Sequence, residues 1–181
     1  MTTNIFDESD YNSNNGMLTN VWGPSMWHSL HTISFNYPVK PSQEDKIKYL
    51  KFFKAVGDVL PCRYCRINFK KNTKKIPLNM KTMKNRNSLS KWLYNLHEEI
   101  NKMLGKKSNL SYTDVKNRYE MFRSRCFNKQ KFKKTKRERG CVKPLYGVKS
   151  KCVINIVPKT KRCKTFSIDK NCKIKLNFRV K

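Results

Sequence analysis

The chain has 181 residues, with 41 Lys and Arg against 12 Asp and Glu, a net charge of +29. That length suits one compact domain and a smaller appendage, and the charge attracts polyanions and acidic partners without defining a fold. No apolar run reaches the roughly 18 residues of a membrane span, and the start around Asp7, Glu8 and Asp10 has neither the basic nor the apolar part of a signal peptide, so no span and no signal peptide are expected.

Residues 1–20 are polar and are expected to be disordered. A first helix is predicted from Gly23 and Pro24, with Trp27, Leu30, His31 and Ser34 on one face, ending before Pro38. His28 falls on another face and is expected to be exposed. Ser42 followed by Asp45 is a capping box in its acidic form. It opens a second helix, marked by Ile47, Leu50, Phe53, Val56 and Gly57, that ends at Pro61. A short third helix is expected to start at Cys62 and Cys65 and to run to about Lys71. Residues 72–87, interrupted by Pro77, read as a loop.

Ser88 is the expected cap of a fourth helix with the stripe Leu89, Leu93, Leu96 and Ile100, then Met103 or Leu104, stopped at Gly105. Ser111 and Asp114 repeat the acidic cap ahead of Val115, Tyr119 and Phe122. From Lys129 to Arg139 the composition becomes almost wholly basic, and 127–181 holds 19 basic and 2 acidic residues. Within it, Val153, Ile154, Ile156 and Val157, and then Ile174, Leu176, Phe178 and Val180, suggest strands. The predicted fold class is mainly α: a four-helix bundle over 21–126 with a short fifth helix, followed at 127–181 by a small basic appendage with cysteines and β character. A disordered basic tail is the alternative for the last segment.

Pro61-Cys62-Arg63-Tyr64-Cys65 is the densest chemical signal. A thiol at a helix start meets unpaired N–H groups and the positive end of the helix dipole, Arg63 adds charge, and a second thiol one turn on can close a disulfide. By itself the motif is open between redox chemistry, zinc binding and structure. Cys126, Cys141, Cys152, Cys163 and Cys172 bring the total to seven cysteines, an odd number that leaves at least one thiol out of any intramolecular pairing. They are candidates for a shuttle or for structural disulfides, the later ones either cross-linking a module or relaying electrons.

Trp27 with His31, and His97 with Asn101, each lie one turn apart and suit contacts to a flat heterocycle. Two rival readings fit part of the pattern. One is a zinc-dependent nucleic-acid-binding protein, drawn from the charge, the three histidines and aromatics such as Phe127, Phe132 and Tyr146. No second Cys-x-x-Cys completes a ligand set for it, so no metal site is expected. The other is a disulfide-stapled structural protein. A third reading, for the lysine and asparagine excess alone, is compositional bias of the encoding genome.

Trp22-Gly23-Pro24, Trp27, Leu30-His31, Pro61-Cys62-x-x-Cys65, Trp92-Leu93-x-x-x-His97-x-x-x-Asn101 and Leu104-Gly105-Lys106 together resemble the Erv/ALR family of FAD-dependent sulfhydryl oxidases, most of all the forms encoded by large DNA viruses. The resemblance implies a helical bundle binding FAD through Trp27, His31, His97, Asn101 and Lys106. Cys62 would be the interchange thiol and Cys65 the thiol facing the flavin. It further implies protein thiol substrates, and the charge of the basic tail suits steering of acidic substrate proteins or of another viral component. Molecular oxygen would be the acceptor, with hydrogen peroxide as product. A homodimer is implied, with Trp92, Phe52, Tyr49 and the surface of the first helix as candidates for its interface. Any nucleic-acid binding would be non-specific, and the expected location is the cytoplasm of an infected host cell and the virion. Two departures stand out: Glu98 occupies a position where the family usually has Asn, and Tyr94 stands nearest to where cellular members carry a stapling cysteine.

Overall fold

The computed structural model describes residues 7–125, 141–164 and 166–173. It divides into two compact units, Met1–Asn109 and Leu110–Lys181. The first holds α1 (Glu8–Asn12), α2 (Thr19–Asn36), α3 (Gln43–Val59), α4 (Arg63–Lys75), a 3-10 turn (Thr82–Lys84) and α5 (Arg86–Met103). α5 packs against α2 and α4, and α3 packs against α4.

Local chemistry sets the helix ends. Ser42 Oγ accepts from Asp45 N at 3.0 Å while Asp45 Oδ2 accepts from Ser42 N at 2.9 Å, the predicted capping box of α3. α5 begins earlier than expected because Asn85, not Ser88, is its cap. The Asn85 carboxamide oxygen accepts the Ser88 N–H at 2.9 Å and the Ser88 hydroxyl at 3.1 Å. α2 also begins early, at Thr19, so Pro24 lies inside it rather than in its first turn. The bond Pro24 cannot make is one to the first turn, and Trp22 Nε1 donating to Met17 O at 3.0 Å secures that end. α4 runs one turn beyond the expected Lys71.

The predicted stripes meet in one core of Leu30, Tyr37, Phe53, Met83, Leu89, Trp92, Leu93 and Leu96. Gly57 permits the close approach of α3 and α4, because a Cβ there would run into the Phe69 ring. Buried polar groups are tied to the irregular stretch before α5: Tyr37 Oη donates to Met83 O at 2.9 Å and Trp92 Nε1 to Ile76 O at 3.1 Å. Trp92 is therefore a core residue and not a surface for a second copy. Ile47, expected on the core stripe of α3, is 41% exposed.

Of the stretch expected to be disordered, residues 7–20 carry local structure. Asp7 caps α1 by accepting from Ser9 N at 2.7 Å, and Gly16 forms an antiparallel bridge with Cys62. Backbone pairing supplies the order that side-chain polarity did not suggest.

The second unit starts before residue 127, because α6 (Tyr112–Glu120) and the short β1 (Ser124–Arg125) belong to it. β1 pairs antiparallel with β2 (Lys143–Pro144), Ser124 opposite Pro144. The Ser111 and Asp114 capping box forms as predicted, and the Arg118 guanidinium lies 5.2 Å from the Phe166 ring centroid. Residues 153–157 form no ladder. Val153, Ile154 and Ile156 are exposed, so this run buries no core face. The alternation at 174–180 lies outside the described residues. Among the described residues no helix is long and apolar enough to cross a membrane.

Candidate active site

Cys62 and Cys65 stand at the start of α4 as free thiols. Cys62 is the N-cap: its backbone is extended, at φ −161° and ψ 122°, and its Sγ accepts the Cys65 N–H at 3.2 Å. A sulfur takes the place that a serine or aspartate oxygen usually fills, which aims the N-terminal end of the helix at Cys62. Burial, reinforced by neighbouring Cys62, pushes the Cys65 thiol up to about 12, and the positive charge of Arg66 opposes that shift.

The cation beside the pair is Arg66, where the sequence pointed to Arg63. Arg63 is exposed and contributes its backbone, N–H donating to Asn15 O at 2.9 Å. Arg66 turns inward and donates through Nη1 to Leu60 O at 2.6 Å and through Nη2 to Asn14 O at 3.5 Å. The available signal was its spacing, four residues after Cys62 and hence over the same turn.

A ring cluster forms between α2 and α5. Trp27 stacks on His97 with centroids 3.9 Å apart and planes 5° from parallel, and His31 Nε2 lies 3.1 Å from His97 Nδ1. His31 also stacks near Phe35, at 6.3 Å. Burial, with smaller repulsion from His97 and His28, lowers the His31 pKa to about 3. Burial lowers that of His97 to about 4, with Glu98 pulling upward and Lys106 downward. Both rings are thus neutral near pH 7, and one nitrogen of the 3.1 Å contact donates to the other. His28, expected on the surface, is half-buried, and burial lowers its pKa too.

The end of α5 positions the remaining candidates. Gly105, at φ +64°, takes the left-handed cap conformation; its N–H bonds Lys102 O at 3.1 Å, and Lys106 N–H bonds Asn101 O at 2.8 Å. This closure turns the chain so that the Lys106 charge acts on His97. Asn101 Nδ2 donates to Glu98 Oε1 at 3.0 Å, so the departure at Glu98 engages the amide one turn away. Trp27 and His97 are half-buried and so retain some exposed surface, and the imidazoles, the Asn101 carboxamide and the Lys106 ammonium are the polar groups that α2, α5 and its cap supply to this end of the unit. Those donors suit a heteroaromatic group that also carries anionic phosphate. A cleft of about 260 Å³ beside Lys54, Asp58, Phe69, Lys70, Thr73 and Leu78 involves none of these residues.

The later cysteines divide. Cys141 is disulfide-bonded, Cys152 and Cys163 are exposed free thiols, and Cys172 is a half-buried free thiol. These three are therefore not cross-linked to one another as a stapled module requires. Cys126 lies outside the described residues. Among the described residues no group of three or more His, Cys, Asp or Glu side chains could hold a metal ion.

A family model described as the Erv1 / Alr family matches residues 24–120, just over half the chain. A probable FAD-linked sulfhydryl oxidase of Acanthamoeba polyphaga mimivirus is 38% identical over 99 residues, covering 55% of this chain and 68% of that protein. An FAD-linked sulfhydryl oxidase of African swine fever virus (isolate Pig/Kenya/KEN-50/1950) is 30% identical over 99 residues, covering 55% and 80% respectively. Among solved structures, the FAD-binding domain of Erv1 from Saccharomyces cerevisiae is similar at TM-score 0.52 with 24% identity, over 57% of this chain and 94% of that one. The yeast Erv1 core gives TM-score 0.52 with 22% identity over 65% and 92%. These two likenesses concern the fold.

Proposed function

The chain belongs to the Erv1/Alr family, and from that premise we propose that it is an FAD-linked sulfhydryl oxidase whose redox pair is Cys62 and Cys65. The observation that carries this reading is the placement of two free thiols at the start of α4, one of them accepting the helix N–H of the other. Protein thiols are the substrates. The bound flavin supplies a two-electron acceptor, and the protein supplies position and electrostatics.

In the oxidised pair, a substrate thiolate attacks Cys62 Sγ, a mixed disulfide forms, and Cys65 departs as thiolate. A second substrate thiolate then attacks the substrate sulfur and releases Cys62, leaving a substrate disulfide and a reduced pair. Trp27, His31 and His97 support the heterocycle, Asn101 contributes a carboxamide, and Lys106 places a cation for phosphate. Oxygen as final acceptor, with peroxide as product, belongs to the same proposal, as does pairing of two copies through surface that includes the 40% exposed Phe52. The viral relatives support a viral protein; action in the cytoplasm of the infected cell and in the virion belongs to the same proposal.

Purified protein should be yellow, with flavin absorbance near about 450 nm, and should consume oxygen with a small dithiol. Cys65→Ser should abolish turnover, and Trp27→Ala should release flavin. A colourless folded protein, or normal turnover in Cys65→Ser, would refute the reading.

A further inference from the structure

We infer that Gly16 and Arg66 are positioning residues for the redox pair: segment 14–17 and the Arg66 guanidinium clamp the backbone around Cys62 and hold a positive charge beside Cys65. The inference rests on the reading of Cys62 and Cys65 as that pair. Segment 14–17 runs antiparallel to 61–63, with Met17 N–H donating to Pro61 O at 2.7 Å and Arg63 N–H to Asn15 O at 2.9 Å. The first bond holds the residue before Cys62, and the second satisfies the donor of the residue after it, at the open first turn of α4. Cys62 is thereby held extended between two fixed peptides, the conformation that lets its Sγ reach the Cys65 N–H.

Only glycine permits this approach. Gly16 has φ +116°, and a Cβ would stand 2.5 Å from Pro61 O and 2.7 Å from Cys62 Cα. Asn14, at φ +53°, provides the other left-handed residue of the segment. Arg66 then joins both sides, donating to Leu60 O before the motif and to Asn14 O on the segment. Anchored at both ends of the guanidinium, it keeps its charge at the pair instead of trailing into solvent.

The consequence is chemical. When a substrate thiolate attacks Cys62, the new S–S bond forms there, the Cys62 to Cys65 bond breaks, and the electron pair leaves on Cys65 Sγ. No proton moves in this step. Burial opposes charge on Cys65 and Arg66 favours it, so Arg66 lowers the barrier to departure.

The test uses the full-length protein with its pair reduced, following alkylation of Cys62 and Cys65 separately against pH by peptide mass spectrometry, together with exchange with an oxidised small dithiol. Arg66→Gln, which removes the charge and keeps one amide donor, should displace the rising limb of the Cys65 profile by about one pH unit, read as alkylation about tenfold slower at a given pH, and slow exchange about threefold; Arg66→Lys should stay near the parent. Gly16→Ala should alter the Cys62 alkylation rate. Profiles of folded Arg66→Gln that superimpose on the parent overturn the proposal, and the Arg66 variants decide it even where Gly16→Ala does not fold. Alkylation needs no flavin. Failure of the oxidase reading would therefore appear as missing flavin absorbance with profiles still shifted, and failure of the clamp as unshifted profiles in a yellow, active protein.

Discussion

The 3.1 Å contact between His31 and His97 joins two imidazoles whose pKa values lie at about 3 and about 4, both lowered first by burial. The unfolded chain binds protons on these rings below about 6.5, whereas the folded protein does not, so stability is complete above that pH and declines as pH falls below it. Each ring contributes about 1.4 kcal/mol per pH unit inside the window, and His28 acts in the same direction. Flavin-free protein should lose on the order of 2 kcal/mol between about pH 7 and pH 5.5. Of the carboxylates with lowered values, Asp7 and Asp114 are exposed and Asp45 and Glu99 half-buried, and their contributions fade only at lower pH, near the ordinary carboxylate range. Chemical denaturation against pH measures the effect; a flat profile above pH about 5 would contradict the neutral pair.

Among the helices, what governs stability is how their ends and contact faces are made. Asn85→Ala removes the acceptor of Ser88 N–H and should cost about 1 kcal/mol, read as a fall in thermal midpoint of several degrees. Gly57→Ala inserts a methyl into the Phe69 ring and should cost about 1–3 kcal/mol. Adding Phe69→Leu should recover part of that loss, because the two changes share one space. A strictly additive double variant would mean that α3 and α4 do not meet there. The same elements explain what could be read in advance. Ser42 with Asp45, Ser111 with Asp114, and Gly105 act through neighbours at fixed sequence offsets, so their caps were legible. So were Leu30, Phe53, Leu89, Leu93 and Leu96, through helical period. The stack of Trp27 on His97, the bridge of Gly16 to Cys62 and the inward turn of Arg66 join residues distant in sequence or depend on a rotamer. Nothing in periodicity encodes them; for Gly16, a lone glycine in a polar stretch was the only trace.

For the molecule as a whole, charge is unevenly distributed: 127–181 carries 19 basic and 2 acidic residues, against a chain total of 41 and 12. Such an excess either steers acidic protein substrates or is a compositional surplus without kinetic effect, and ionic strength separates the two. At about 0.1 M salt the screening length is about 10 Å, so long-range attraction weakens while local thiol chemistry does not. With an acidic dithiol protein as substrate, kcat/KM should fall severalfold as salt rises from about 0.02 to 0.3 M, whereas a neutral small dithiol should show little change. The fall should reside in the encounter, as a change in kcat/KM with kcat nearly constant. Substituting glutamine for basic residues in 127–181 should flatten the salt response without altering small-dithiol turnover. Equal salt dependence for the two substrates would assign the charge no part in substrate capture and return the lysines to the surface as solvated residues.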